Sequence, residues 1–386
     1  MLTPLPKAPR PTHPETKAPT LVEVVEGPAQ LRRFQQVLAM VYWHDPYHVS
    51  PLLSAERTFL DPQKNPFFAH AEARLFLAKH GNEKDVGRIA AALDRDAAPG
   101  GKPRGTFGFF EFLGDARLPE HLFEVAAAWL RERGAGEIVG PCSLAPHHFG
   151  AGLLVENFDD DPVFGTSYNP INYPGFFARL PLEKWRDLYG YELSIREPPE
   201  RLARAAADAR KRGLTIRPLD PARLERDLEA ARAIYNEAWK EEAGFAPVRE
   251  DEWRFLTLGV PFALDPALFL FVEENGRPVG FSWSFPDWNR VLKHLNGRLL
   301  PFGWIKALLL KRAIDRARVF RLGVLDAAER GERTAALVEA TWRAIAARGF
   351  RRAEVAHVPE ENRRAIGLLE GLGARRTRTW RLFRAT

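Results

Sequence analysis

Residues 319–358 read VFRLGVLDAAERGERTAALVEATWRAIAARGFRRAEVAHV, and this stretch decides the fold. Residues 319–325 are dense in Val, Phe and Leu, as a buried strand requires. From 334 to 348 the apolar residues fall at helical spacing, and Gly349 supplies the stop. AEVAHV then returns to a strand. Working outward, residues 361–372 predict a last helix and RRTRTWRLF a terminal strand. Upstream, LTIRPLD (214–220) predicts a strand and 221–241 a long helix. ALFLFVEENGRPVGFSWSF (267–285) predicts a hairpin turning at Glu274-Asn275-Gly276.

The same order of elements occurs once before. LVEVVE (21–26) alternates like a strand, and Leu31, Phe34, Leu38 and Val41 give a helix over 29–43. Residues 73–81 and 86–94 predict a hairpin. GTFGFFEFL (105–113) is an aromatic strand, 119–134 an amphipathic helix and 137–140 a short strand. AAAWLRERGAGEIVGP corresponds to WRAIAARGFRRAEVAHVP, so the chain reads as a tandem repeat. The Ala- and Arg-rich stretch 197–213 has few large apolar residues and predicts a polar connecting helix. Residues 1–19 hold six prolines and almost no large apolar side chains, which predicts a disordered tail. The expected organisation is therefore a tail, a first domain over 20–196, a linker over 197–213 and a second domain over 214–386.

Composition narrows the function. With 386 residues, 45% hydrophobic and 27% charged, the chain is globular and neither fibrous nor wholly disordered. The single cysteine, Cys142, excludes an intramolecular disulfide and a multi-cysteine zinc or iron–sulfur site. A secretory segment and an apolar run near 18 residues are both missing, so the expectation is a cytoplasmic protein with no membrane partner. Net charge is +6, with 44 Arg against 12 Lys, too modest to imply a nucleic-acid partner by itself.

Two stretches, LGVLDAAERGERTAALVEA and ENRRAIGLLEGLGA, together with the element order, resemble the GCN5-related N-acetyltransferase (GNAT) superfamily. The resemblance extends to YNEAW (235–239), FPDWN (285–289) and LNGRLLPFGWIK (295–306), which are similar to a bacterial group carrying two such folds. It implies an α/β protein of two tandem GNAT-like acyl-CoA N-acyltransferase folds with mixed sheets. It also implies acetyl-CoA, or another acyl-CoA, as cosubstrate and a small-molecule amine as acceptor. By the resemblance, Leu322, Val324 and Leu325 lead to the pyrophosphate turn, where Arg330, Gly331, Arg333 and Thr334 would meet the anion. Asn362 would begin the helix along the pantetheine.

Two positions depart from the family pattern. The turn lacks its central glycine, with Glu329, Glu332 and Thr334 at the key places in a gapless reading. Leu369 stands where a Tyr often protonates the leaving thiolate. Two further readings stay open beside the enzyme: a non-catalytic CoA- or ligand-binding protein, and an aminoacyl-tRNA-dependent transferase with tRNA as partner.

Acyl transfer to an amine requires a proton acceptor and a donor to the oxyanion. Candidate bases are Asp287, Glu354 and His357, with Glu237 beside them. Glu354 and His357, three apart on one strand, are expected on opposite faces. A backbone N–H at a bulge within 322–325 would serve the oxyanion. Tyr235, Trp239, Phe245 and Asn289 are the candidate substrate contacts, by the resemblance and by the polar-aromatic mix of FPDWN. His147-His148 lacks a carboxylate at ligand spacing, so no metal is expected and the pair reads as a polar loop.

Overall fold

The computed structural model describes residues 20–81, 84–113, 117–259, 264–325 and 330–385. The expected tail over 1–19 lies outside the described residues, as do positions 326–329 of the expected pyrophosphate turn.

Alternation and turn chemistry give β1 (Thr20–Val24), β2 (Ala71–His80), β3 (Lys84–Asp94), β4 (Arg104–Phe112) and β5 (Glu137–Gly140). β6 (Leu153–Glu156) and β7 (Glu183–Ser194) follow, in a stretch where the sequence had suggested no regular elements. The second half supplies β8 (Leu214–Pro218), β9 (Phe269–Glu274), β10 (Arg277–Pro286), β11 (Arg316–Val324), β12 (Arg352–Pro359) and β13 (Arg375–Ala385). The hairpin β9–β10 turns at Asn275 and Gly276 with φ of 51° and 74°, the left-handed pair that a tight hairpin needs. The expected linker helix is present as Glu200–Lys211.

All thirteen strands join one sheet, ordered β1-β2-β3-β4-β5-β13-β7-β12-β11-β10-β9-β8, with β6 on β13. Among the described residues the parallel pairs are β4 with β5 and β11 with β12. The two halves exchange their last strands. β7 precedes the linker helix yet pairs with β12, and β13 ends the second half yet pairs with β5. β7 and β13 also pair with each other along nearly their whole length. The repeat is thus stitched into a single body. Trp380 seals the seam, fully buried, its indole N–H donating to the Ser167 carbonyl at 2.9 Å.

Helices cover the faces. The helix Leu118–Glu132 sets Leu122, Phe123, Ala126 and Leu130 against Phe107 and Ile89 of the first half. The helix Arg330–Ala347 does the same with Ala336 and Leu337 against Val272 and Val324. Each fully buried Leu or Phe of this kind contributes about 2–3 kcal/mol.

Candidate functional site

Each parallel pair comes apart at one end. β4 and β5 pair from Arg104–Glu137 only to Thr106–Val139, while β4 runs on to Phe112. The register of β4 against β3 slips between Arg88 and Ala90, and there Phe109 takes a φ of 47°. The chain leaving β5 crosses β4 at Gly108, where any Cβ would lie 1.7 Å from the Cys142 carbonyl oxygen. Cys142 N–H donates to the Phe107 carbonyl at 2.8 Å, and the Thr106 hydroxyl donates to the Leu144 carbonyl.

Beside this opening is a cavity of about 570 Å³. Its walls are largely apolar, with Leu38, Phe59, Phe109, Phe164 and Leu256 among them. A polar knot is set into them. Arg88, only 2% exposed, donates to Glu111 at 2.6 Å and to Glu56 at 3.4 Å. Burial opposes its charge, but the two carboxylates more than offset that and hold the guanidinium protonated. His48 stacks on Tyr42 with centroids 3.8 Å apart, and its Nε2 has no hydrogen-bond partner among the described residues. Burial, then the charge of Arg88, pushes His48 down to about 3. Its imidazole is therefore neutral at neutral pH; the ring lines the cavity, while Nε2 itself is buried without a partner among the described residues.

Among the described residues the second pair opens onto no comparable space. β11 and β12 pair from Arg316–Arg352 to Val319–Val355 and then diverge. Side chains and a crossing loop fill the gap. Arg318 donates to the carbonyls of Phe164 (2.5 Å) and Ala356 (3.1 Å), and Arg321 donates to that of His147 (2.6 Å). Phe320 stacks on Phe149 at 4.6 Å. The pocket bounded by Phe320, Arg321 and His147 measures about 10 Å³, room for one water at most.

The residues singled out from sequence fall mainly in this filled half. Asp287 is fully buried, accepts from Arg316 Nε (2.9 Å) and Nη2 (2.8 Å) and from Phe164 N–H (2.8 Å), and so serves as a tie rather than an available base. Glu354 is also fully buried, 3.8 Å from Arg316 and 3.9 Å from Arg378. Burial raises its pKa, against the pull of those arginines. His357 packs edge-on against Trp380 at 4.6 Å, and burial followed by Arg318 and Arg321 pushes it well below its usual value.

The expectation that Glu354 and His357 lie on opposite faces fails. The register of β12 against β7 breaks between Val355 and Val358, which cancels strict alternation, and both side chains stand in the field of Arg318. The expected bulge within 322–325 is displaced too: the register of β11 slips at Phe320, and Leu325 N–H is spent on the Val279 carbonyl at 2.7 Å.

The cofactor candidates separate. Val324 is core, while Leu322 and Leu325 are half-buried. Arg333 is buried, donating to Glu274 at 2.5 Å and to the Leu325 carbonyl at 3.0 Å, so its guanidinium is engaged in holding the turn. Glu332 pairs with Arg212. Gly331 is exposed and Thr334 half-buried, and Arg330 begins the helix. Asn362 caps the last helix, accepting from Ala365 N–H at 3.0 Å. The described residues thus present no cradle for a diphosphate at this turn.

Of the substrate candidates, Tyr235, Trp239 and Phe245 form an aromatic cluster with ring centroids 4.8 and 5.7 Å from Tyr235. Trp239 lies against Gly323, where a Cβ would come within 2.3 Å of the indole. Glu237 pairs with Lys240 on the surface. Asn289 alone of the named site residues reaches the large cavity, its amide donating to the Pro162 carbonyl at 2.8 Å.

A second polar cluster lies between the halves. The helix Glu250–Leu258 brings Glu252, 1% exposed, to His147 (2.8 Å), His148 (3.0 Å) and His70 (3.2 Å). A carboxylate does therefore meet the histidine pair, from more than 100 residues along the chain, which local ligand spacing could not reveal. Burial opposes the Glu252 charge, but the three histidines override it and hold the carboxylate ionised.

Comparisons with known proteins follow the same lines. No family model matches the chain. It is 32% identical over 379 residues to a protein named bacterial ceramide synthase from Caulobacter vibrioides (strain NA1000 / CB15N), spanning 95% of this chain and 98% of the relative. A tandem GNAT protein from the clavulanic acid biosynthesis pathway superposes with a TM-score of 0.55 at 12% identity, over 96% of this chain and 98% of the other. The GCN5-related glucosamine N-acetyltransferase region of a fungal multi-domain β-N-acetylglucosaminidase gives 0.59 at 14% identity. There the match covers 96% of this chain but 38% of the larger protein. The fold is two GNAT-like units in tandem.

Proposed function

The chain belongs to the family of the Caulobacter bacterial ceramide synthase, and from that premise we propose that it is an N-acyltransferase joining a fatty acyl group to the amine of a long-chain amino alcohol. The observation that carries this reading is the cavity of about 570 Å³, whose apolar walls enclose the polar knot of Tyr42, His48, Arg88 and Glu111. An amphiphile asks for that combination: apolar area for the chain and a few placed polar groups for its head. The name of the relative supplies the chemical class.

In this reading residues 20–196 supply most of the acceptor cavity, 197–213 are the link, and 214–386 complete its wall with Leu256, Asn289 and Leu299. The small amine expected from sequence becomes a long-chain one, and the site moves from the second unit to the first. The acyl donor is a thioester substrate, acyl-CoA being the form the GNAT fold suggests. The amine nitrogen attacks the thioester carbonyl, a C–N bond forms, the C–S bond breaks to expel a thiolate, and the proton lost from nitrogen ends on that sulfur to give the free thiol. With His48 held at about 3, its neutral imidazole is in this reading a polar contact for the head of the amine and not a strong base. Arg88 and Glu111 offer a donor and an acceptor to hydroxyl groups of the head. The apolar walls exclude water from the thioester.

The test is mass-spectrometric detection of amide product from acyl-CoA and amines of graded chain length. The expected result is turnover that rises steeply with amine chain length and falls about tenfold in His48→Ala, the loss of one polar contact. Turnover on short, water-soluble amines with no chain-length dependence would overturn the proposal.

A further inference from the structure

The cluster between the halves poses a hydrogen-bonding problem. His148 Nδ1 lies 2.7 Å from the Ser143 carbonyl, which only accepts, so Nδ1 carries the ring proton. In a neutral ring Nε2 is then bare, yet it faces a Glu252 carboxylate oxygen at 3.0 Å. His70 presents no such conflict: burial opposes its charge, but Asp94 and Glu252 raise it to about 9, and both ring N–H groups donate, Nδ1 to Asp94 at 2.9 Å and Nε2 to the other Glu252 oxygen at 3.2 Å. Something positive between the bare His148 Nε2 and Glu252 resolves the remaining contact.

We propose that His147, His148 and Glu252 bind a divalent transition-metal ion of the zinc class, with His70 beside them. The three ligand atoms lie within 4.8 Å of one another. Small side-chain rotations would bring them to the roughly 2.0–2.1 Å that Zn²⁺ takes from nitrogen and carboxylate oxygen. The outer contact of His148 is already that of a metal-bound histidine, a backbone carbonyl behind Nδ1. The ion would be a clamp between the halves: the histidines come from the first and Glu252 from the second. It would also brace the cavity, since Leu256, one turn beyond Glu252, and Phe59, edge-on to His148 at 5.2 Å, both line it.

The test uses tag-free full-length protein stripped with a chelator and titrated with Zn²⁺, then with Co²⁺. Expected are one Zn²⁺ per chain, a rise in Tm and a Co²⁺ visible absorption band of low coordination number, with binding at least about 100-fold weaker in His147→Asn. His147 is the most exposed of the three ligands, at 11% of its side chain, so that variant should fold. Native protein that carries no metal and shows neither Tm shift nor cobalt spectrum would overturn the proposal and leave a purely protonic network.

A different observation carries a second inference, which rests on the proposed function. Residues 299–310 form a surface strip centred on the helix Gly303–Leu310, with Leu300 78%, Phe302 72% and Leu309 72% exposed. Trp304, Ile305 and Leu308 extend it outward, while Ala307 and Leu310 pack inward. Arg298, Lys306, Lys311 and Arg312 flank it, and residues 295–314 hold no acidic side chain. Leu299, at the start of the strip, lines the cavity.

We infer that this strip docks on an anionic phospholipid bilayer, so that the amphiphile passes from the membrane to the cavity. Apolar and aromatic side chains rimmed by Lys and Arg are what the interface of such a bilayer accepts. Among the described residues no helix is long and apolar enough to cross a membrane, and surface attachment needs none. The test is flotation with vesicles of neutral lipid alone and of neutral lipid with phosphatidylglycerol. Binding should require the anionic lipid and fall about tenfold or more in a Phe302→Glu, Leu308→Glu double variant. Turnover of detergent-dispersed substrate should stay unchanged in that variant, which separates failure of docking from failure of the acyltransferase reading. Wild-type protein that does not float, or that forms a dimer abolished by the same variant, would overturn the inference.

Discussion

The two parallel strand pairs were built to one plan and have been put to different uses. Where β4 leaves β5, the chain after β5 crosses at Gly108 and a cavity of about 570 Å³ opens beside it. Where β11 leaves β12, Arg318, Arg321 and Phe320 are tied to the loop from the first half, and about 10 Å³ remains. Among the described residues the repeated fold therefore does not repeat its cavity. The same gap is a chamber when small or apolar residues line it and a joint when arginines bridge it to a neighbouring loop.

The largest effect should come at the crossing. Gly108→Val drives a side chain into the Cys142 carbonyl, and we expect loss of the folded protein, beyond about 4 kcal/mol, in a thermal melt. Gly331→Ala in the second half meets nothing within 4 Å and should stabilise its helix by up to about 1 kcal/mol. Comparable melts for the two variants would break the contrast.

Next in size is Arg88→Met. It leaves Glu56 and Glu111 without their buried partner and should cost about 3–5 kcal/mol in denaturant unfolding. Retention of wild-type stability would show that the polar knot is hydrated rather than buried.

For turnover, His48→Ala should be compared with Glu354→Gln. The first should fall about tenfold, and the second should stay within about threefold, because Glu354 faces arginines and does not line the cavity. The reverse order would return the chemistry to the second half.

The smallest effect is on pH dependence. His48 is held at about 3 when folded, below the roughly 6.5 of an unfolded chain. The unfolded chain therefore takes up the proton first. The stability that neutral His48 contributes is whole above about 6.5 and is lost as pH falls toward 3. His48→Gln should flatten the decline of Tm between pH 6.5 and 4, and an unchanged slope would contradict this assignment.

How much of this was legible in the sequence depends on how local the signal is. Period, caps and the Asn275-Gly276 turn revealed the elements of both halves, and the repeat of their order revealed the tandem fold. The strand exchange was not legible, because β7 lacks a clean alternation and was not expected as a strand, and nothing local says which partner β13 will take. The residues named from sequence lie mostly in the filled half, whereas the large cavity lies beside the first opening. Asp287, Arg333 and Asn362 are residue types that suit catalysis or anion binding, but here they tie loops, pair with Glu274 and cap a helix. His48 sits in a Pro- and Asp-rich stretch with no periodicity, and only Tyr42 and Arg88, brought from a helix and a strand, give it meaning. Glu252 reaches His148 from 104 residues away, a contact that spacing rules do not register.

The most direct test of where the amphiphile sits is photo-crosslinking with a long-chain amino alcohol carrying a diazirine in its tail, followed by peptide mapping. The account predicts adducts on residues 38–59, 109–111 and 141–169, around the first opening. Adducts confined to residues 316–325 and 352–362, around the second, would contradict it.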